Sequence, residues 1–131
     1  MLRHEILRYE MRMLQMQNKL NPASPELKKG SLELLVLSVL ATTRRHGYEI
    51  GRLIELRSGG HLQFRISTLY PVLYRMENRG WIQGRWVEQP GERRRCYYHL
   101  TEAGKRALSE QHDQWRAFAA AVNLVVEAGR A

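Results

Sequence analysis

The sequence is poor in cysteine and in long hydrophobic runs. Its one cysteine, Cys96, cannot form an internal disulfide, which is typical of a cytoplasmic protein. The apolar run at residues 34–37 is far too short to span a bilayer, and the first turns are too charged for a signal peptide. We therefore expect a cytoplasmic protein without a membrane segment.

Recognisable catalytic and metal-binding patterns are also missing. The five histidines have no metal-ligand spacing, so no bound metal is expected. No nucleophile-base pair, glycine-rich phosphate loop or carboxylate pair is visible. These absences predict a protein that is not an enzyme and has no cofactor.

What the chain does contain is positive charge. In 131 residues, 21 Lys and Arg oppose 13 Asp and Glu, which gives a formal net charge of +8 and a pI near 10.1. A balance of this kind favours a polyanionic partner such as nucleic acid, although a basic, soluble protein without such a partner is the alternative.

Hydrophobic periodicity predicts five helices and one hairpin. Helices are expected over residues 2–20, 26–43, 48–57, 67–79 and 102–127, and the hairpin strands over 81–87 and 95–100. Three short helices followed by a hairpin make a winged helix-turn-helix, in a mainly α protein. We divide the chain into an N-terminal helical extension and linker (1–24), a DNA-binding domain (25–100) and a C-terminal dimerisation helix (101–131).

The helix at 67–79 is the candidate recognition helix. Leu69, Leu73 and Met76 form its inward stripe, and Pro71 is tolerated only near a helix start, so Ser67 or Thr68 is expected to cap it. A recognition helix uses its N-terminal residues on base edges. The candidate DNA contacts on this helix are Ser67, Thr68, Tyr70, Tyr74 and Arg75. The alternative is a surface helix whose tyrosines only pack on each other.

The hairpin tip supplies a second set of candidate contacts. Arg93, Arg94 and Arg95 follow a Pro-Gly turn, from which long side chains can reach a groove or phosphates. A solvated charge run that protects a sheet edge is the alternative. Further candidates for the DNA backbone are Lys28, Lys29, Arg44, Arg45 and Tyr48.

The two terminal helices carry apolar seams that a domain of this size can hardly cover. A two-fold homodimer would bury them and present two recognition helices to a pseudo-palindromic operator in double-stranded DNA. Both helices folding onto their own domain is the alternative. The predicted interface residues are Leu2, Ile6, Tyr9, Met13, Leu108, Trp115, Phe118, Val122 and Val126.

Several blocks resemble the PadR family of bacterial transcriptional regulators. They are "LKKGSLELLVLSVL", "HGYEI", "STLYPVLYRMENRGWI" and "RRRCYYHLTEAGKRAL", in the family's order between residues 27 and 108. The resemblance implies a winged-helix repressor that dimerises through its C-terminal helix, with the 67–70 surface and the basic wing on operator DNA. It also implies that Tyr48 supports the motif and that the N-terminal extension adds to the dimer contact.

Three residues have weaker assignments. Cys96 beside three arginines is a candidate redox sensor, His112 on the C-terminal seam a candidate pH sensor, and Trp115 a candidate effector contact. An ordinary structural role is the alternative for each.

The predicted function is a sequence-specific, homodimeric repressor modulated by a small-molecule effector and associated with the bacterial nucleoid when bound. The alternatives are a non-specific or architectural DNA-binding protein and a winged-helix protein-interaction adaptor.

Overall fold

A computed structural model describes the backbone of residues 25–130 and the side chains of residues 31–130. The predicted N-terminal helix, with Leu2, Ile6, Tyr9 and Met13, lies outside the described residues, as do the side chains of Lys28 and Lys29. The structure divides into two units, Met1–Glu33 and Leu34–Ala131. All sites described below lie in the second unit.

The elements follow the predicted order with one additional strand. They are α1 (Pro25–Val39), β1 (Arg45–His46), α2 (Gly47–Arg57), α3 (Ile66–Asn78), β2 (Ile82–Val87), β3 (Arg95–Leu100) and α4 (Glu102–Ala128). The hairpin strands and the long last helix are confirmed to within one residue at each end.

The predicted end of α1 is wrong by four residues. The helix ends at Val39, and the Arg45 Nε–H donates to the Val39 carbonyl at 2.9 Å from outside the helix. Arg45 and His46 then form β1, which pairs antiparallel with β3 (Arg45 with Tyr98, His46 with Tyr97). Arg45 and His46 therefore belong to a three-stranded sheet in the order β1-β3-β2 and not to α1.

The predicted start of α3 is also wrong by one or two residues. The helix begins at Ile66, and its N-cap is Arg65, whose side chain makes no capping hydrogen bond. The Thr68 and Leu69 N–H groups both donate to the Arg65 carbonyl, so neither Ser67 nor Thr68 is the cap. Pro71 is the sixth helical residue, which shows that the proline limits the position of a helix start without fixing it.

The buried core of the second unit lies between the helices and one face of the sheet. Leu69, Leu73 and Met76 are completely buried, as the stripe on α3 predicted, together with Val72. Other core residues are Val36, Leu37, Val39, Leu40, Ile50, Ile54, Ile82, Tyr98 and Ala107. This core fixes one face of α3 and leaves the other exposed.

A compact joint fastens the start of α4 to the turn between α3 and β2. The Trp81 carbonyl accepts a hydrogen bond from the Thr101 N–H at 3.1 Å, and the Thr101 hydroxyl donates chiefly to the neighbouring Gly80 carbonyl. The same hydroxyl lies 3.1 Å from the Trp81 carbonyl and caps α4 by accepting from the Gly104 N–H at 3.0 Å. A Cβ on Gly104 would lie 2.0 Å from the Trp81 carbonyl oxygen. Only glycine allows this approach, so the sequence "TEAG" dictates how α4 leaves the sheet.

Candidate nucleic-acid interface

The outer face of α3 presents polar and aromatic side chains to solvent. Ser67 and Thr68 lie in the exposed first turn, and Tyr74 is 67% exposed one turn further along. The first turn of a helix leaves backbone N–H groups without helical partners, which favours phosphate binding. Hydroxyl and N–H groups are therefore combined at one exposed helix start.

Two predicted members of that face are less available than expected. Tyr70 is 46% exposed, but its ring packs against Gly47 at the start of α2, where a Cβ would lie 3.0 Å from the hydroxyl oxygen. Arg75 is only partly exposed. Arg65, which is not among the predicted contacts, is exposed at the N-terminal end of α3. Because Arg65 is the N-cap residue, it precedes the helical pattern from which the outer face of α3 was predicted.

The hairpin of β2 and β3 with its connecting turn (residues 82–100) is called the wing below. Its three neighbouring arginines, Arg93, Arg94 and Arg95, have different environments. The Arg94 guanidinium lies 4.8 Å from the centre of the Trp86 ring, and its Nε is 3.5 Å from the Glu88 carboxylate. Arg95 Nη1 lies 2.7 Å from Nε2 of His46. Within residues 31–130, Arg93 has no hydrogen-bond or ion-pair partner, and it is exposed. Of these three guanidinium groups, one is therefore uncommitted and two are engaged.

Helix α3 and the wing are joined by Glu77. Its carboxylate Oε2 accepts a hydrogen bond from the Gly84 N–H of β2 at 2.9 Å. A Cβ on Gly84 would lie 2.7 Å from Cys96 Sγ and 3.0 Å from the Tyr98 ring. This crowded joint sets the position of the wing relative to the exposed face of α3.

A cleft of about 650 Å³ opens between the start of α2, Tyr70 of α3 and the wing. It brings together Tyr48, Tyr70 and all three wing arginines, which the sequence had placed on separate elements. Its full lining is His46, Tyr48, Tyr70, Trp86, Arg93, Arg94, Arg95, Cys96 and Tyr98. Aromatic rings and guanidinium groups thus form one continuous surface beside the exposed face of α3.

Two groups in this cleft are partly shielded from water. Cys96 is half-buried, and Tyr98 is buried beside it. Burial raises the pKa of Tyr98 well above its ordinary value, and its hydrogen bond with Cys96 adds to the effect. Tyr98 is therefore a neutral, structural phenol. The redox assignment of Cys96 stays a prediction.

The remaining backbone candidates have structural contacts of their own. Arg44 is exposed and lies 5.8 Å from the centre of the Tyr97 ring, whereas Arg45 is half-buried and bound to α1. Tyr48 is 63% exposed at the start of α2. Arg44 and Tyr48 are thus accessible, and the Arg45 guanidinium is partly occupied.

Helix α4 carries an exposed apolar face beyond Leu108. Trp115 and Phe118 lie with ring centres 6.1 Å apart, and Val122 and Val126 continue the same face. The side chains of Trp115, Phe118, Val122 and Val126 are between 37% and 53% exposed. Nothing within Leu34–Arg130 covers this surface, and His112 is exposed on the same helix.

Two further observations concern the described residues as a whole. Between residues 25 and 130, no helix is both long and apolar enough to cross a membrane. In the same part of the chain, no group of three or more His, Cys, Asp and Glu side chains is placed to hold a metal ion.

The helix pair α2–α3, with its hairpin wing and following long helix, defines a winged helix-turn-helix protein. The sequence model of the "Transcriptional regulator PadR-like family" matches residues 36–110. The chain belongs to this family of transcriptional regulators, and the predicted resemblance and fold class are confirmed.

Individual relatives agree with that assignment. A transcriptional regulator from Clostridium thermocellum is 26% identical with a TM-score of 0.70, covering 76% of this chain and 94% of its own. A PadR family regulator from Eggerthella lenta is 32% identical, with a TM-score of 0.63 and coverages of 77% and 82%. Bacillus subtilis PadR, solved in complex with operator DNA, is 26% identical with a TM-score of 0.56, covering 60% of this chain and 45% of its own.

An uncharacterised protein from Lysinibacillus sphaericus is 29% identical over 102 residues, which span 78% of this chain and 94% of that protein. The likeness thus extends over nearly the whole length of a relative as well as over the matched winged-helix region.

Proposed function

We propose that this chain is a sequence-specific repressor that binds operator DNA as a homodimer. The observation that carries the proposal is the exposed face of α3 (Ser67, Thr68, Tyr74) beside a wing with three arginines. The helix enters the major groove, where hydroxyl and phenol groups read base edges, and the wing contacts phosphates or the minor groove. The DNA-bound structure of B. subtilis PadR supports DNA as the partner.

The dimer rests on the apolar face of α4. Trp115, Phe118, Val122 and Val126 remain exposed in the single chain, and a two-fold pairing of α4 would remove them from water. The N-terminal extension with Leu2, Ile6, Tyr9 and Met13 is proposed to add to this contact. Light scattering on Val122→Arg should show a monomer, while the matched change at the neighbouring exposed position, Asn123→Arg, should leave a dimer. A dimeric Val122→Arg protein would contradict the proposal.

A small-molecule effector is proposed to act at the same helix. Trp115 and Phe118 form an aromatic pair that a flat ligand can stack on, and a change in α4 pairing would move the two DNA-binding heads. A cytoplasmic location follows from this role.

The decisive experiment is footprinting on the DNA upstream of the protein's own coding region. We expect protected half-sites about one helical turn apart, or a multiple, and an affinity about 10³-fold or more above that for random DNA. Equal affinity for all sequences would instead indicate an architectural protein. Absence of any DNA binding would indicate an interaction adaptor.

A further inference from the structure

His46 occupies the point where the helix-turn-helix meets the wing. It is the last residue of β1, the N-cap of α2 and the cross-strand neighbour of Tyr97 on β3. Its side chain is buried, with 7% of the residue exposed, and apart from the Tyr98 phenol it is the one buried polar or charged side chain among residues 31–130. In the sequence, His46 is one of five histidines without metal-ligand spacing, and this position could not be foreseen.

Three partners compete for the two nitrogens of this imidazole. Nδ1 lies 3.3 Å from the Glu49 N–H, as a helix cap. Nε2 lies 2.9 Å from the Glu49 carboxylate and 2.7 Å from Arg95 Nη1. The carboxylate needs a proton on Nε2, whereas the guanidinium needs a lone pair there.

No protonation state of His46 satisfies all three partners. A neutral ring protonated at Nε2 caps α2 and binds Glu49, but turns an N–H toward Arg95. A neutral ring protonated at Nδ1 accepts from Arg95 and loses the cap. The doubly protonated ring keeps only the Glu49 carboxylate and repels Arg95. Arg95 is therefore held only while the ring is neutral.

The distances favour Arg95 as the strongest of the three contacts in the free protein. A 2.7 Å hydrogen bond from a guanidinium is charge-assisted, while the 3.3 Å capping contact is long. Burial lowers the pKa of His46, the Glu49 carboxylate opposes this effect, and the Arg95 charge adds to it. The ring is therefore neutral in the free protein near pH 7.

We infer that His46 is a positioning residue for the wing, which holds Arg95 in the free protein and releases it to a DNA phosphate while taking up a proton from solvent. This inference rests on the proposed DNA-binding function. A phosphate offers Arg95 an acceptor with a full negative charge. Below the pKa that it has in this state, the ring without the guanidinium is protonated at both nitrogens and donates from Nε2 to Glu49.

The sign of the pH dependence follows from which neighbours remain. When Arg95 leaves, a nearby positive charge that lowers the pKa of His46 is gone and the Glu49 carboxylate that raises it stays. The pKa of His46 is therefore higher in the DNA complex than in the free protein. Binding takes up a proton between these two values, so DNA affinity rises as pH falls through that window and levels off below it.

Several charged and titratable groups surround the ring and could in principle contribute to such a profile. Those on α2 are Tyr48 and Glu49, the one on α3 is Tyr70, those on the hairpin tip and β3 are Arg93, Arg94, Arg95, Cys96, Tyr97 and Tyr98, and those on its own segment are Arg44 and Arg45. The ring of His46 is the group among them with an ordinary pKa near 6.5, between pH 5 and 8.

The test measures affinity for a short random-sequence duplex at low salt, by fluorescence anisotropy, from about pH 5 to pH 8. A random duplex suffices because a phosphate contact does not depend on sequence. We compare wild type with His46→Asn, which can still cap α2 but does not titrate. The matched control is His99→Asn, an exposed histidine on the same strand as Arg95.

Wild type and His99→Asn should gain up to about tenfold in affinity per pH unit across the window, the limit for one proton. In His46→Asn and in Arg95→Gln this gain should be lost. An equal gain in His46→Asn would overturn the inference while leaving the proposed function intact. No binding by any variant at any pH would overturn the proposed function itself.

A second measurement requires neither a substitution at His46 nor DNA. NMR titration of the His46 ring in the free protein should give a higher pKa in Arg95→Gln than in wild type, because a positive neighbour is removed. An unchanged pKa would show that Arg95 is not held by this imidazole in solution and would overturn the inference.

Discussion

The outer face of α3 and the wing differ in how far their side chains are engaged within the protein. Ser67, Thr68 and Tyr74 project into solvent from a helix whose opposite face is completely buried. By contrast, Arg94 is stacked on Trp86 and paired with Glu88, and Arg95 is held by His46. One region has a rigid base with free side chains, and in the other two of the three arginines, Arg94 and Arg95, are bound to neighbouring side chains.

This difference suits the two kinds of contact that the regions are proposed to make. Base edges are read at fixed positions, so a rigid helix with short polar groups gives selectivity. Phosphates are contacted by charge, and long arginine side chains tolerate small displacements. Exposed ion pairs such as Arg94–Glu88 contribute only about 0 to 1 kcal/mol, so DNA can displace them at little cost.

The largest expected effect comes from breaking the joint between the two regions. In Gly84→Ala the new Cβ meets Cys96 Sγ at 2.7 Å and Glu77 Oε2 at 3.1 Å. We expect a loss of about 1–3 kcal/mol in the free energy of unfolding, as for an overpacked core. Denaturant unfolding measures it, with Gln83→Ala on the same strand as control. A Gly84→Ala protein as stable as wild type would show that the joint is not tightly packed.

The next effect concerns the exposed helix face alone. Thr68→Ala should reduce the preference for operator over random DNA by about 1–3 kcal/mol, the usual value of one base contact. Because the side chain is exposed and does not cap α3, stability should change little. Competition binding with both duplexes measures the ratio, and Ser109→Ala on α4 is the matched control. An unchanged ratio would remove Thr68 from the base-reading set.

Substitutions in the wing should lower the affinity for DNA without changing the preference for operator over random DNA. Arg93→Ala should weaken binding to all sequences alike and reduce the slope of log affinity against log salt by about one unit. Arg94→Ala should do the same with a smaller loss of affinity, because its contacts with Trp86 and Glu88 must first be given up. Salt titrations of both variants test this. A loss of operator preference instead would mean that the wing reads bases.

The smallest expected effect comes from freeing the Arg94 guanidinium from its ion pair with Glu88. Glu88→Gln removes the carboxylate 3.5 Å from Arg94, so affinity for DNA should rise by about 1 kcal/mol at most. Part of any rise reflects the lost negative charge, and Glu92→Gln in the same exposed turn gives that part as a control. Equal gains in the two variants would show that Glu88 does not restrain Arg94.

Long periodic elements were predictable from the sequence, and contacts between elements were not. The stripe Leu69, Leu73, Met76 identified α3, and two runs rich in aromatic and β-branched residues around the Pro-Gly turn identified the wing. Strand β1 has only two residues, too few for any periodicity, and it exists because Tyr97 and Tyr98 of β3 pair with it. Tertiary pairing therefore overrode the helix signal of residues 40–43.

The candidate site was predictable to a similar extent. Residue type and position suggested the wing arginines, but not that Arg95 would meet His46, because 49 residues separate them in the chain. Tyr70 was predicted as a free helix side chain, and its packing on Gly47 follows from how α2 crosses α3. The assignment of these residues to DNA contact stays a prediction.

The joint at Thr101, Gly104 and the Trp81 carbonyl has a mechanical consequence. Because α4 is fastened at its base to the turn that links α3 to the wing, a tilt of the helix pivots about a point beside the proposed DNA-binding surface. With 27 residues it is about 40 Å long, so a tilt of about 5° at the base corresponds to about 3–4 Å at the far end. In a dimer paired along α4, small changes of packing at the far end would set the angle between the two heads, and so the half-site spacing they fit.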